Sequence, residues 1–227
     1  MRIISIFDSI DGEVNGFQGP GQVSTFVRLA GCNLRCNYCD TSGSWPIDAG
    51  KSITIEQILP QLHQHHITIT GGDPLLQQEE VAALCRAVVE SGRIVSIETN
   101  GSVTPKVINY PSATVVRFVM DFKSKSSGRP DWYCSAFLSA VSHLRPEDVV
   151  KFVIGSVADL TEVSEIIREV WGGYNKTGPR RTYGIIHGSS YTDQKLVEWI
   201  LSNDPYGQLN IQLHKILWPN CKEKEER

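Results

Sequence analysis

Phe26-Val27-Arg28-Leu29-Ala30-Gly31-Cys32-Asn33-Leu34-Arg35-Cys36-Asn37-Tyr38-Cys39-Asp40-Thr41 decides how this chain is read. An apolar strand, Val23 to Leu29, ends at Ala30-Gly31 and delivers three cysteines in C-x₃-C-x₂-C spacing. A reactive loop hung from the C-terminal end of a strand is the arrangement of a β/α barrel. Three thiolates this close suit a soft metal centre, an iron–sulfur cluster or zinc. Structural zinc takes four protein ligands, and no fourth lies nearby. A [4Fe–4S] cluster on three cysteines keeps one iron open for chemistry. Three buried or zinc-binding cysteines are the plainer alternative.

Working outward, strands and helices alternate. Met1 to Phe7 reads as a strand, and the glycine- and proline-dense stretch Gly16 to Gly21 as turns. Thr54 and Gln57 form a capping box, with Pro60 shortening the helix that follows. Ile67–Thr70 is a strand, and Glu79–Ser91 an amphipathic helix with Val81, Leu84, Cys85 and Val88 on one stripe. Strands are predicted at Ile94–Glu98, Val115–Asp121, Val149–Ile154, Tyr183–Ile186 and Leu209–Leu213. Helices are predicted over Ala136–Leu144, around Leu160–Val170 and around Leu196–Leu201. This alternation predicts an α/β fold with a parallel sheet, and fewer than eight units make an incomplete β/α barrel. Residues 1–219 read as one domain, and residues 220–227 as a charged tail.

Composition narrows the function. The chain has 227 residues, 41% of them apolar and 21% charged, enough for a full core. A net charge of −3 gives no electrostatic case for nucleic acid or an anionic membrane. No apolar run approaches membrane-spanning length, and the first residues do not read as a signal peptide. Of six cysteines, three sit in the loop; Cys85, Cys134 and Cys221 read as small hydrophobes or surface thiols. A reducing cytoplasm is the expected location.

Other strand ends carry polar turns. Gly71-Gly72-Asp73-Pro74 follows one strand, where glycines let the backbone approach a ligand. Glu98-Thr99-Asn100-Gly101 ends the next, and Asp121-Phe122-Lys123 the one after. Each could be an ordinary turn, but converging strand ends build a barrel active site. His63, His65 and His66 read as solvated or capping residues rather than ligands.

The cysteine spacing, with Tyr38 before the last cysteine, is similar to that of radical S-adenosylmethionine (SAM) enzymes. Ser9-Ile10-Asp11-Gly12-Glu13, Cys39-Asp40-Thr41, Thr70–Pro74, Glu98–Gly101, Met120–Lys123 and Gln212–Lys215 with Trp218-Pro219 narrow the resemblance to the 7-carboxy-7-deazaguanine synthases. Asp73 stands where the superfamily motif has Glu, and Asp11 where many members have Gln.

That resemblance implies the following. The reaction is ring contraction of 6-carboxy-5,6,7,8-tetrahydropterin to 7-carboxy-7-deazaguanine with loss of ammonia, within queuosine synthesis for tRNA modification. The cofactors are a [4Fe–4S] cluster on Cys32, Cys36 and Cys39, SAM, and Mg²⁺ at Thr41. SAM contacts are Tyr38, Cys39, Asp40, Gly72, Glu98, Asp121, Phe122 and Lys123. Pterin contacts are Ile10, Asp11, Gly12, Glu13, Arg28, Thr70 and His214, with Arg28 on the substrate carboxylate. Tyr38 fits a place near adenine or a buttress for the cluster equally well, Thr41 can also serve as a turn residue, and His214 is as open. No side chain need act as nucleophile or acid–base catalyst. Partners are an electron donor such as flavodoxin or ferredoxin and a second copy in a homodimer. A glycyl-radical activating enzyme and a non-catalytic zinc module are the competing readings.

Overall fold

A computed structural model describes residues 1–106, 109–186 and 188–219. His187, Cys221 and the charged stretch 220–227 lie outside the described residues. One nine-stranded sheet runs in the order β3-β1-β2-β4-β5-β6-β7-β8-β9. Strands β1 (Arg2–Ile10) and β2 (Val23–Leu29) pair antiparallel, and β3 (Lys51–Ser52) adds to β1. From β2 the sheet is parallel through β4 (His66–Gly71), β5 (Ile94–Thr99), β6 (Val116–Lys123), β7 (Val149–Ile154), β8 (Arg180–Ile185) and β9 (Gln208–Leu209). Because β3 and β9 remain edges, the barrel is incomplete, as the strand count predicts.

Side-chain alternation separates two faces. Outward, Val27, Leu29, Ile67, Ile69, Val95 and Ile97 pack on α2 (Gln78–Glu90) through Val81, Leu84, Cys85 and Val88. Met120, Phe122, Val150, Phe152 and Tyr183 pack against α3 (Tyr133–Val141), α4 (Val157–Trp171) and α5 (Asp193–Asn203). Inward, the same strands present Thr68, Thr70, Ser96, Glu98, Asp121, Lys123 and Lys151. The helices thus bury the apolar face, and the polar face is left for a site. Helix α1 (Ile55–Ile58) starts with the expected Thr54–Gln57 capping box and gives way to a 3₁₀ turn at Pro60.

Four expectations change. Strand β1 runs on through Asp8, Ser9 and Ile10, because Ser9 and Ile10 pair with Ser24 and Val23. Helix α3 begins three residues early, at Tyr133, just after the Pro130-Asp131 turn. Strand β9 ends at Leu209, and Leu213–Leu217 is helix α6, so His214 lies on a helix rather than on a strand exit. The cause is a competing set of bonds: Asn210 Oδ1 accepts from the Val14 N–H at 2.7 Å, and the Leu213 N–H donates to the Gly12 carbonyl at 2.6 Å. These draw the chain away from the sheet edge toward the segment after β1. Finally, His66 is fully buried rather than solvated.

Residues 11–18 explain that burial. Strand β1 is antiparallel to β2, so its C-terminal end lies at the N-terminal ends of the parallel strands. The chain then crosses beneath the barrel as a plug. Asp11 Oδ1 accepts from Thr68 Oγ1 at 3.0 Å, and Oδ2 accepts from Asn15 Nδ2 at 2.8 Å with His66 Nδ1 at 3.2 Å. Ser96 Oγ bonds His66 Nε2 at 2.9 Å and accepts from the Gly16 N–H at 3.1 Å. Arg117 and Arg180 donate to the Gly16 carbonyl, and Val14 meets Val119 and Val149 inside the barrel.

Candidate active site

The cysteine loop sits over the C-terminal ends of the parallel strands, fixed by backbone contacts too close for side chains. The Gly72 N–H donates to the Leu29 carbonyl at 2.9 Å, and the Asp73 N–H to that of Gly31 at 2.7 Å. A Cβ at Gly71, where φ is +127°, would stand 2.2 Å from the Leu29 oxygen. One at Gly72 would stand 2.0 Å from the Gly31 oxygen. Both glycines are therefore required for this approach. On the other side, the Asn37 N–H donates to the Ser127 carbonyl at 2.9 Å, tying the loop to the 3₁₀ turn that follows β6.

Cys32, Cys36 and Cys39 carry free thiols and line one cavity of about 640 Å³. Burial pushes the Cys32 and Cys36 thiols up; for Cys36 the neighbouring thiols push the same way while Lys123 opposes them. Such thiols ionise only against a strong positive centre, which a metal cluster provides. Among the described residues, no three His, Cys, Asp or Glu side chains close around a point where one metal ion could sit. A lone zinc requires that closure at about 2.3 Å to each sulfur. The donor set, soft and three in number, fits an iron–sulfur cluster. For magnesium, Thr41 lines the cavity with Oγ1 3.7 Å from Cys39 Sγ, beside the half-exposed Asp40 carboxylate. These oxygens fit a cation that keeps most of its water.

The same cavity is lined by Tyr38, Asp40, Gly72, Glu98, Asp121 and Lys123 among the expected SAM contacts. Of the expected pterin contacts, Ile10, Asp11, Gly12, Glu13, Arg28, Thr70 and His214 line it too. Phe122 is a correction: its side chain is fully buried on the outer face, 4.8 Å from the Phe137 ring. The period of two sends Asp121 and Lys123 inward and the residue between them outward. Asp73 is also turned from the cavity. Its Oδ1 accepts from the Leu75 N–H at 3.1 Å and from Thr99 Oγ1 at 2.8 Å, and burial raises its carboxyl to about 6.

Charge is concentrated at mid-depth. Lys151 Nζ pairs with Glu13 and, at 2.9 Å, with Asp121, whose other oxygen is 2.6 Å from Lys123 Nζ. Glu13 also accepts from Gln212 Nε2 at 2.6 Å. Burial alone would raise Glu13, but Lys151 and Gln212 outweigh it and hold the carboxyl at about 2. Glu98 accepts from Thr70 Oγ1 at 2.7 Å and feels the charge of Lys151 without being paired to it. Burial, with Glu13 adding to it against Lys151, lifts Glu98 to about 7. Those same carboxylates push the Lys151 ammonium up against the effect of burial.

Among the described residues, two polar atoms at the cavity wall have no partner. Arg28 Nε is buried and unbonded, its guanidinium 5.0 Å above the Phe7 ring. Phe7 in turn stacks on Phe26 at 5.3 Å, and both line the cavity. Tyr38 Oη is likewise buried and unbonded. The open side is crossed by α6. A Cβ on Gly12 would come within 1.9 Å of His214 Nδ1, and Lys215 Nζ lies 3.5 Å from Asp40. Burial lowers the His214 pKa, with Glu13 opposing.

Reading the sequence misses Lys151, Phe7, Phe26, Asn210 and Gln212. Lys151 had a signal, a single charge inside the apolar run Val149-Val150-Lys151-Phe152-Val153-Ile154. Phe7 and Phe26 had none that separates a cavity wall from core.

Residues 27–124 match the Radical SAM superfamily, so cysteine loop and partial barrel together define a radical SAM enzyme. That membership implies a [4Fe–4S] cluster and SAM. Over 219 residues, 96% of this chain and 85% of the relative, the sequence is 37% identical to the 7-carboxy-7-deazaguanine synthase of Methanospirillum hungatei. It is 34% identical to the protein of that name from Clostridium acetobutylicum, covering 96% of this chain and 97% of the relative. The crystal structure of QueE from Escherichia coli superposes with a TM-score of 0.69 over 93% of each chain at 18% identity, which bears on the fold alone. This chain belongs to the 7-carboxy-7-deazaguanine synthase family.

Proposed function

We propose that the chain converts 6-carboxy-5,6,7,8-tetrahydropterin to 7-carboxy-7-deazaguanine with loss of ammonia. The observation that carries this reading is one cavity shared by the cysteine loop, Arg28 with its unbonded Nε, and the Glu13–Lys151–Asp121 charge cluster. Its volume, about 640 Å³, suits two small molecules rather than a polypeptide, which disfavours an activase of other proteins.

Cys32, Cys36 and Cys39 would hold the cluster, which with SAM supplies the hydrogen-abstracting radical. The Gly72 backbone, Tyr38, Asp40 and the Asp121–Lys123 pair would seat SAM. Arg28, whose planar fork matches a carboxylate, would receive the substrate carboxylate, with Thr41 and a magnesium ion completing that grip. Phe7 and Phe26 would form the wall against the flat ring. Glu13, kept ionised by Lys151, would accept N–H bonds from the pterin. Glu98, its carboxyl lifted to about 7 by burial, would stand with the SAM contacts. The plug below and α6 at the side would exclude water.

The same reading includes a flavodoxin- or ferredoxin-like electron donor, a homodimer, a cytoplasmic location and supply of a precursor for tRNA modification. Free thiols are in keeping with a reducing compartment. Anaerobically reconstituted protein, given the pterin, SAM and dithionite, should yield 7-carboxy-7-deazaguanine by mass spectrometry. An intact cluster that cleaves SAM but forms no deazaguanine would sink the proposal.

A further inference from the structure

The three cysteine sulfurs are not equivalent. Cys32 Sγ receives the Leu34 N–H at 3.4 Å and the Asn100 side-chain amide at 3.6 Å. Among the described residues, no N–H donor reaches Cys36 or Cys39; the near neighbour of Cys39 is the Thr41 hydroxyl at 3.7 Å. The Leu34 donor belongs to the loop itself. The Asn100 donor comes from the end of β5, across the cavity mouth.

Which end of the Asn100 amide faces the sulfur is fixed by its other bonds. Its Oδ1 accepts from the Ser102 N–H at 2.8 Å, so the NH₂ group must point the other way. There it is shared between Cys32 Sγ and Asn33 Oδ1, the latter at 3.2 Å. The residue is 7% exposed, and the Tyr133 hydroxyl lies 2.8 Å from its carbonyl, on the inner end of a buried tyrosine. An amide this constrained at a half-buried cysteine is a built feature, and no step of the proposed reaction uses it.

We propose that Asn100 is a positioning residue that sets the reduction potential of the cluster through its N–H bond to Cys32 Sγ. The proposal rests on the reading that Cys32, Cys36 and Cys39 hold a [4Fe–4S] cluster. Reduction adds one electron from an external one-electron donor, and no bond is made or broken. The added electron raises the charge density on the thiolates, so an N–H donor stabilises the reduced form more than the oxidised one and raises the potential. Asn100 thereby limits how strongly reducing the cluster becomes, and hence how readily an external donor can charge it.

The test is a potentiometric titration of the reconstituted cluster, followed by electron paramagnetic resonance, with iron and sulfide content measured in parallel. Asn100→Ala should keep the cluster and lower the reduced-to-oxidised ratio at fixed solution potential about tenfold, equivalent to about 59 mV for one electron. Asn100→Asp keeps the shape and the Ser102 bond but turns an acceptor toward the sulfur; it should lower the ratio at least as much, and serves if the alanine variant takes up no cluster. Asn33→Ala removes the acceptor that shares the amide and should leave the ratio within about twofold. An unchanged potential in the Asn100 variants with full iron content would overturn the proposal. So would an equal fall in Asn33→Ala, which would assign the shift to a loosened loop. Wild-type protein that takes up no iron would overturn the cluster reading itself, and this role with it.

Discussion

The two faces of β6 show how the molecule divides its work. Phe122 points outward, fully buried against Phe137 and Phe152, and belongs to the core. Asp121 and Lys123, one residue to either side, point inward and join the charge cluster. The outer face is apolar because helices cover it. The inner face is polar because its partners are other polar groups, or a ligand. Substitutions on the two faces should therefore fail differently: inward ones lose binding and keep the fold, outward ones do the reverse.

The largest contrast comes from that strand. Lys123→Met should weaken SAM binding to the reconstituted protein by roughly a hundredfold, because it removes a charge-assisted contact in a buried site. Phe122→Ala should cost about 3–5 kcal/mol of stability by cavity formation. The folded fraction of Phe122→Ala should still bind SAM within a few-fold of wild type. Isothermal titration and denaturant unfolding measure both; similar affinity losses in the two variants would erase the distinction between faces.

A smaller effect tests Asp11, which the family resemblance makes a pterin contact. Both its oxygens are taken by Thr68, Asn15 and His66 within the plug. Asp11→Asn replaces one acceptor by a donor and should cost about 1–3 kcal/mol of stability, with KM for the pterin little changed. A large rise in KM with unaltered unfolding would restore Asp11 to the substrate.

The most gradual effect is a pH slope. Glu98 has a folded pKa of about 7, above its ordinary 4.5. Its contribution to stability is therefore full below pH 4.5 and is lost as pH rises through 7. Glu98→Gln should flatten that part of the unfolding free energy measured on ligand-free protein from pH 4.5 to 7.5. A slope identical to wild type would show that Glu98 is not perturbed.

Those contrasts also mark what the sequence made legible. The parallel strands were readable because each is a short apolar run ending in glycine or polar turn residues. The cysteine loop was readable because its ligands are local. The plug was not, since Gly16 to Gly21 read only as turns, and only the antiparallel direction of β1 carries residues 11–18 beneath the barrel. Strand β9 was predicted too long because Ile211 and Leu213 continue an apolar pattern, while the bond from Val14 to Asn210 that ends it spans 196 residues. Phe122 differs for a simpler reason: strand alternation splits its motif, turning Asp121 and Lys123 to the cavity and the Phe122 side chain to the core.

The account depends on three thiols holding a cluster with one iron free for SAM. Its most direct test is electron paramagnetic resonance of the anaerobically reconstituted, reduced protein with and without SAM. The wild-type chain should carry roughly four irons, and its reduced-cluster signal should change on adding SAM. Cys36→Ala should lose that signal. A wild-type chain whose cluster signal is indifferent to SAM, or which retains full iron after loss of Cys36, would contradict the account.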